Sequence, residues 1–162
     1  MRIIVISDTH IPEGADAIPQ KLMEEVKLAD MVIHAGDFID LATFEKLKNA
    51  CSKIIAVSGN MDPEEIKKKL PQKEIIKVGN FKIGIMHGAG ASNKLPELLT
   101  AAFKNDAVDI IIFGHSHSPL NEKKGSILFF NPGSPTDKIF ATYNSYGIID
   151  INEAIEARII KL

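Results

Sequence analysis

The segment Ile3-Ile4-Val5-Ile6-Ser7-Asp8-Thr9-His10 runs from β-branched apolar residues straight into side chains able to bind a metal. Its first half has the composition of a buried strand, and its second half offers a carboxylate and an imidazole two residues apart. Four later segments repeat the transition. Residues 31–33 lead into His34-Ala35-Gly36-Asp37, and residues 54–57 into Ser58-Gly59-Asn60-Met61-Asp62. Residues 83–86 lead into His87-Gly88, and residues 110–113 into Gly114-His115-Ser116-His117. Strands of an α/β sheet present their carboxyl ends along a common edge where ligands bind, so five loops distant in sequence can converge.

Between these runs the apolar spacing is helical. Leu22, Val26 and Ala29 recur at i, i+4 and i+7, and Leu41, Phe44 and Leu47 at i, i+3 and i+6. A third helix is expected from Pro63, with Asp62 as its cap, Glu65 three residues on, and Lys67, Lys68 and Lys69 as a solvated, dipole-compatible end. Leu95, Leu98, Leu99, Ala102 and Phe103 mark a fourth. Residues 74–78 and 81–86 form a hairpin around Gly79-Asn80, and strand-like pieces at 126–130, 146–151 and 157–160 follow, so antiparallel pairing increases in the second half.

Composition narrows the function. With 45% hydrophobic and 25% charged residues in 162, a single globular α/β domain over residues 1–162 is expected, long enough to build its core without disulfides. Nineteen Lys and Arg against twenty-one Asp and Glu leave a net charge of −2, which provides no field for long nucleic acid. Arg2 and Arg158 are the only arginines, so bidentate phosphate clamping needs another source of positive charge. The single Cys51 excludes an internal disulfide and a multi-thiolate zinc site, and reads as core filler. No apolar run approaches the ~20 residues of a membrane span, and the N-terminus lacks a signal-peptide pattern, so a cytoplasmic protein is expected.

All five histidines, His10, His34, His87, His115 and His117, follow an apolar run. If the backbone stays extended, Asp8-x-His10 and His115-x-His117 each point two side chains the same way. Taken together, Asp8-x-His10, Gly36-Asp37, Gly59-Asn60, His87-Gly88 and Gly114-His115-x-His117 resemble the motifs of the calcineurin-like metallophosphoesterase superfamily. Asn131-Pro132-Gly133-Ser134 is similar to its small single-domain, YfcE-like phosphodiesterase branch.

The resemblance implies a four-layer αββα metallophosphoesterase sandwich with mixed sheets and a dinuclear metal centre. Asp8, His10, Asp37 and His117 would hold one ion, and Asp37, Asn60, His87 and His115 the other. Asp37 would bridge, and Asp37, Asn60 and His87 would also serve catalysis. Mixed carboxylate, amide and imidazole donors suit Mn²⁺, with Fe, Zn²⁺, Ni²⁺ or Co²⁺ as alternatives. The implied reaction is hydrolysis of a small phosphodiester by a two-metal activated hydroxide. A phosphomonoesterase of the same mechanism and a non-catalytic retromer-type scaffold are the alternatives, and the oligomeric state stays open. Met61 departs from the superfamily's Gly-Asn-His-Asp/Glu, because a thioether cannot protonate a leaving group. His34 is expected behind the ligands, and Asn131-Pro132-Gly133-Ser134 as a turn without substrate contact.

Overall fold

Alternate residues of β1 (Arg2–Ile6) serve two different cores: Ile3 and Val5 face one apolar layer, and Ile4 and Ile6 the other. Successive side chains of a strand point to opposite faces, so a strand covered on both sides needs apolar residues at every position. A computed structural model of the chain describes residues 1–10 and 18–162. In chain order these form β1, α1 (Gln20–Leu28), β2 (Met31–His34), α2 (Leu41–Ala50), β3 (Ile54–Ala56), α3 (Glu64–Lys69) and β4 (Lys73–Val78). They continue as β5 (Phe81–Met86), α4 (Leu95–Ala102), β6 (Ile110–Ile112), β7 (Leu120–Lys124), β8 (Ile127–Asn131), β9 (Ser145–Ile151) and β10 (Ile155–Lys161).

Among the described residues the strands make two five-stranded sheets, ordered β10-β9-β1-β2-β3 and β4-β5-β6-β8-β7. Each is mixed. The pairs β1–β2, β2–β3, β5–β6 and β6–β8 are parallel; antiparallel pairing adds β9 and β10 on one side of the first sheet and β4 and β7 at the two edges of the second. The sheets pack face to face through Ile3, Val5, Ile33, Ile85, Ile112 and Phe130. Leu22, Val26, Phe44, Leu47 and Ile66 of α1, α2 and α3 cover the outer face of the first sheet. Leu95 and Leu99 of α4, with Phe103 behind them, cover the second against Ile111 and Phe129. This is the expected αββα sandwich, and no helix among the described residues is long and apolar enough to cross a membrane.

One strand goes unread in the sequence, and one expected helix cap needs correction. Residues 120–124, Leu-Asn-Glu-Lys-Lys, carry no apolar alternation yet form β7, because backbone pairing from Leu120↔Asn131 to Lys124↔Ile127 is enough at a sheet edge. Asn121 adds a side-chain hydrogen bond to the Ala157 carbonyl of β10, tying the edges of the two sheets at 2.7 Å. Helix α3 has Pro63 at its N-cap with no side-chain cap, so Asp62 does not cap it. Its lysines close the last turn as expected, Lys68 and Lys69 exposed; Lys69 also pairs with Glu45 at 2.5 Å and sits over the Phe44 ring, and Lys67 reaches the Asn60 carbonyl.

Gly147, opposite Val5 in the register, leaves room for a side chain of the other sheet. A Cβ there would lie 2.6 Å from Phe130 Cζ and 3.2 Å from Val5 Cβ. Gly147→Ala is therefore expected to overpack the layer between the sheets and cost ~1–3 kcal/mol. Urea denaturation checks this, and an unchanged midpoint would show that Phe130 moves aside freely.

Candidate metal centre

The five strand-end loops meet at one edge, but not through extended backbone. Asp8, His10, Asp37, His115 and His117 have φ of +52°, +40°, +58°, +68° and +53°, so the expected alternation is replaced by left-handed residues that turn each side chain inward. Each such conformation costs of order 1 kcal/mol or more in a non-glycine residue, so other contacts must hold it. Backbone bonds from Asp8 N to Gly36 O and from His10 N to Asp37 O join the first two loops. The Asp8 carboxylate accepts the His115 N–H through both oxygens at 3.1 Å, joining the first loop to the last. Glycine at 59 allows the closest approach, since a Cβ there would lie 2.5 Å from the Asp37 amide nitrogen.

The seven residues expected to hold metal lie together. Asp37 Oδ2 is 3.2 Å from His87 Nε2 and 3.5 Å from His10 Nε2. Asp8 Oδ1 is 3.4 Å from His117 Nε2, 3.8 Å from His10 Nε2 and 3.9 Å from His87 Nε2. Asn60 Oδ1 stands 3.1 Å from His87 Nε2 and 2.9 Å from His115 Nδ1. Two groups of donors close enough to hold a cation result: Asp8 with His10 and His117, and Asp8 with Asp37 and His87. Asp8, assigned from sequence to one ion, thus stands at the junction of both groups, as Asp37 does between His10 and His87.

The donor set fits a cation. His10 Nε2 is buried with no hydrogen-bond partner while facing two carboxylates, and a buried polar atom left unmatched is costly without a ligand. The His87 Nδ1–H donates to the Ala35 carbonyl at 2.7 Å, which turns Nε2 inward. His115 Nε2–H likewise donates to Gly90 O at 2.8 Å. Hard oxygens mixed with imidazoles and no thiolate suit a divalent transition ion. Cys51 takes no part, lying buried at the end of α2 with Sγ near the Ala29 and Lys53 carbonyls.

Behind the donors lies a second set of contacts, and these are the least visible in the sequence. Asp62, only 2% exposed, accepts N–H bonds from Asp37 at 3.1 Å, Phe38 at 2.7 Å, Ile39 at 2.9 Å and Gly59 at 2.7 Å. It clamps the β2 and β3 loops to each other, and this replaces its expected capping role. Asp137, which no sequence motif marks, meets His117 Nδ1 at 2.5 Å and orients that ring. His34 is fully buried, stacks on Phe38 at 3.5 Å, accepts the Gly36 N–H on Nδ1 and faces Thr9 Oγ1 through Nε2. The 131–134 turn is a brace: Asn131 donates to Gly114 O, Ser134 to Asp8 O, and Gly133 O accepts from Ser7.

Charge and burial compete at His10, His87 and Asp37. Burial opposes protonation of His10, but the nearby Asp8 and Asp37 carboxylates outweigh it and raise its pKa. His87 is raised in the same way against its burial, by the Asp37 hydrogen bond and the charges of Asp8 and Asp37. Burial would raise Asp37, yet hydrogen bonding and charge from His87 and the Met61 N–H hold it low. His34, buried and beside His87, is pushed well below the ordinary histidine value. His10, Asp37, Asn60, His115 and His117 line a cleft of about 890 Å³ together with Met61 and Thr136 to Phe140.

A two-sheet sandwich carrying this donor set at its strand ends has the architecture of a metallophosphoesterase. Residues 1–154 match the calcineurin-like phosphoesterase superfamily domain, and the chain belongs to that superfamily. A probable metallophosphoesterase of Methanocaldococcus jannaschii, MJ0623, is 39% identical over 84% of this chain and 69% of its own length. The solved structure of an archaeal phosphodiesterase is 29% identical with a TM-score of 0.81, covering 100% of both chains. Wild-type Vps29 from Entamoeba histolytica, solved in complex with Zn²⁺, is 26% identical with a TM-score of 0.79 over 99% of each chain.

Two outcomes follow for the centre. Asp62→Ala strands four N–H groups and is expected to destabilise the protein by at least ~3 kcal/mol, where loss of a helix cap alone would cost ~1 kcal/mol. Urea titration separates the two. Because His10 and His87 bind protons above their ordinary 6.5, a cation must displace those protons, and metal affinity falls as pH drops through the raised values. Calorimetric titration in buffers of different ionisation heat should find protons released on binding near pH 6.5, and fewer as the pH is raised.

Proposed function

We propose that this chain is a cytoplasmic phosphodiesterase that hydrolyses small, accessible phosphodiesters with two divalent cations, Mn²⁺ foremost. The observation that carries the reading is the meeting of Asp8, His10, Asp37, Asn60, His87, His115 and His117, with His10, Asp37, Asn60, His115 and His117 lining one open cleft and Asp8 and His87 buried behind them. Cations bound there supply the positive charge that the arginine-poor chain lacks and lower the pKa of a water nucleophile. The remaining work belongs to the side chains. Asp37 Oδ1 is engaged by the Met61 N–H at 2.8 Å, so Oδ2 alone faces both His10 and His87. Asp37 Oδ2, with Asp8 Oδ1, would therefore be available to hold a cation among these histidines. His117 is oriented by Asp137 and His87 by Ala35 O, which keeps both Nε2 atoms turned inward.

Met61 favours diesters with good leaving groups. Its side chain is 58% exposed on the cleft wall and carries no proton to give. A histidine placed there would find the neighbouring Asp62 already committed to four backbone N–H groups, so no carboxylate is free to orient it. A positioned general acid contributes ~10²–10⁴-fold, and its absence makes departure depend on the leaving group itself.

The likeness to Vps29 supports a second reading, a non-catalytic scaffold, and a phosphomonoesterase of the same mechanism is a third. Turnover decides among them. Chelated protein is expected to be inactive and to regain diester hydrolysis with Mn²⁺. Its rate should rise steeply across diesters of falling leaving-group pKa, and Met61→His should recover less than about tenfold. Inactivity on every ester in every metal would favour the scaffold, faster monoester turnover the monoesterase, and a flat leaving-group dependence would place a proton donor elsewhere in the cleft.

A further inference from the structure

Large apolar side chains exposed to water are few, and three of them border one cleft. Among the described residues Met1, Leu28, Met61, Leu98, Ile139 and Phe140 are the large hydrophobics left exposed, and Met61, Ile139 and Phe140 all line the cleft above the metal-donor residues. Ile139 and Phe140 are the extreme cases, at 81% and 74% exposed. Apolar side chains scattered singly over a surface are ordinary, whereas a cluster at the mouth of a binding cleft marks a place where a ligand or partner docks.

The backbone that presents them is fixed. One Asp137 oxygen accepts the Ile139 N–H at 2.8 Å and the Phe140 N–H at 3.2 Å, while the other accepts the Ala141 N–H at 2.9 Å. Asn144 donates to the Asp137 carbonyl at 2.7 Å and holds the far end of the loop. The same carboxylate contacts His117, and the Phe140 ring stands edge-on to the His117 ring with centroids 5.8 Å apart. An apolar surface held in place loses little conformational freedom when a ligand covers it. A group attached to a phosphoryl centre beside His117 lies within reach of that ring.

From this placement, and resting on the phosphoryl-binding role proposed above, we infer that Ile139 and Phe140, with Met61 of the same cleft, form an aromatic-accepting subsite. It takes a planar aryl or nucleobase substituent of the phosphoryl ligand. Phe140 supplies a ring for stacking or edge contact, Ile139 widens the apolar surface, and the thioether of Met61 adds an adaptable apolar contact within the cleft.

Binding of non-hydrolysable phosphonates tests this without any leaving group. Mn²⁺-loaded protein is titrated calorimetrically with phenylphosphonate and with methylphosphonate. The phenyl compound is expected to bind about tenfold more tightly, from the apolar area it covers. The preference should fall toward unity in the Ile139→Ala/Phe140→Ala double variant, persist in Phe140→Trp, and persist in Leu28→Ala, which changes an exposed side chain outside the cleft lining. Equal affinities in the unmodified protein, or a preference indifferent to the double variant, overturns the subsite while leaving diester hydrolysis standing. Equal affinities together with a dimer that the double variant dissolves would make the patch a self-contact, which also overturns it. If neither phosphonate binds, the phosphoryl site itself is absent and both readings fall.

Discussion

Four backbone N–H groups from two loops end on the single buried carboxylate of Asp62, and the organisation of the site depends on that convergence. A buried carboxylate with four charge-assisted acceptor bonds is among the stronger local constraints a small domain can assemble. It sets the distance between the ends of β2 and β3, and so between Asp37 and Asn60. It also holds Asp37 in a left-handed conformation that an aspartate leaves readily when unsupported. The remaining braces work in the same manner. Ser134 grips the Asp8 carbonyl, Asn131 grips Gly114, and Asp8 itself grips the amide of His115.

The sandwich is legible in the sequence because its strands are covered on both faces. Ile3 to Ile6 must be apolar throughout, and a continuous β-branched run that breaks into polar donor residues belongs at the carboxyl end of a buried strand. The joining of seven donors at one edge is legible on the same ground, since parallel strand ends share an edge whatever their separation in sequence. β7 is invisible by that route because an edge strand needs only backbone partners, and Leu-Asn-Glu-Lys-Lys has no face to betray it. Asp62 reads as a cap because Asp-Pro before a charged helix is a locally sufficient capping pattern, while its actual partners lie up to 25 residues away. Asp137 has no local signature, since its role exists only once His117 has been brought to it across the fold.

The electrostatics of the centre follow from few groups. Two buried carboxylates are surrounded by imidazoles, and their negative charge raises the proton affinity of His10 and His87 against the effect of burial. His34 lies within the same field, yet burial and its neighbour His87 keep it neutral, as its acceptor role toward Gly36 requires. The same residue type thus serves as proton-binding donor and as uncharged packing element a few ångströms apart. The difference comes from carboxylate proximity in one case and complete enclosure in the other.

Most residues that shape these loops are not the residues that face the cleft floor. Asp62, Asn131, Ser134 and His34 hold the backbone, while His10, His87, His115 and His117 project their rings from it, and Asp8 does both. Scaffold and chemistry are therefore separable under mutation. Drift can erase the projecting imidazoles one by one while the loops keep their outline, so a lineage can inherit the surface relief of an enzyme after its reactivity has gone. Asp8 is where that inheritance breaks, because losing its carboxylate removes a donor and loosens the first loop from the last in one step.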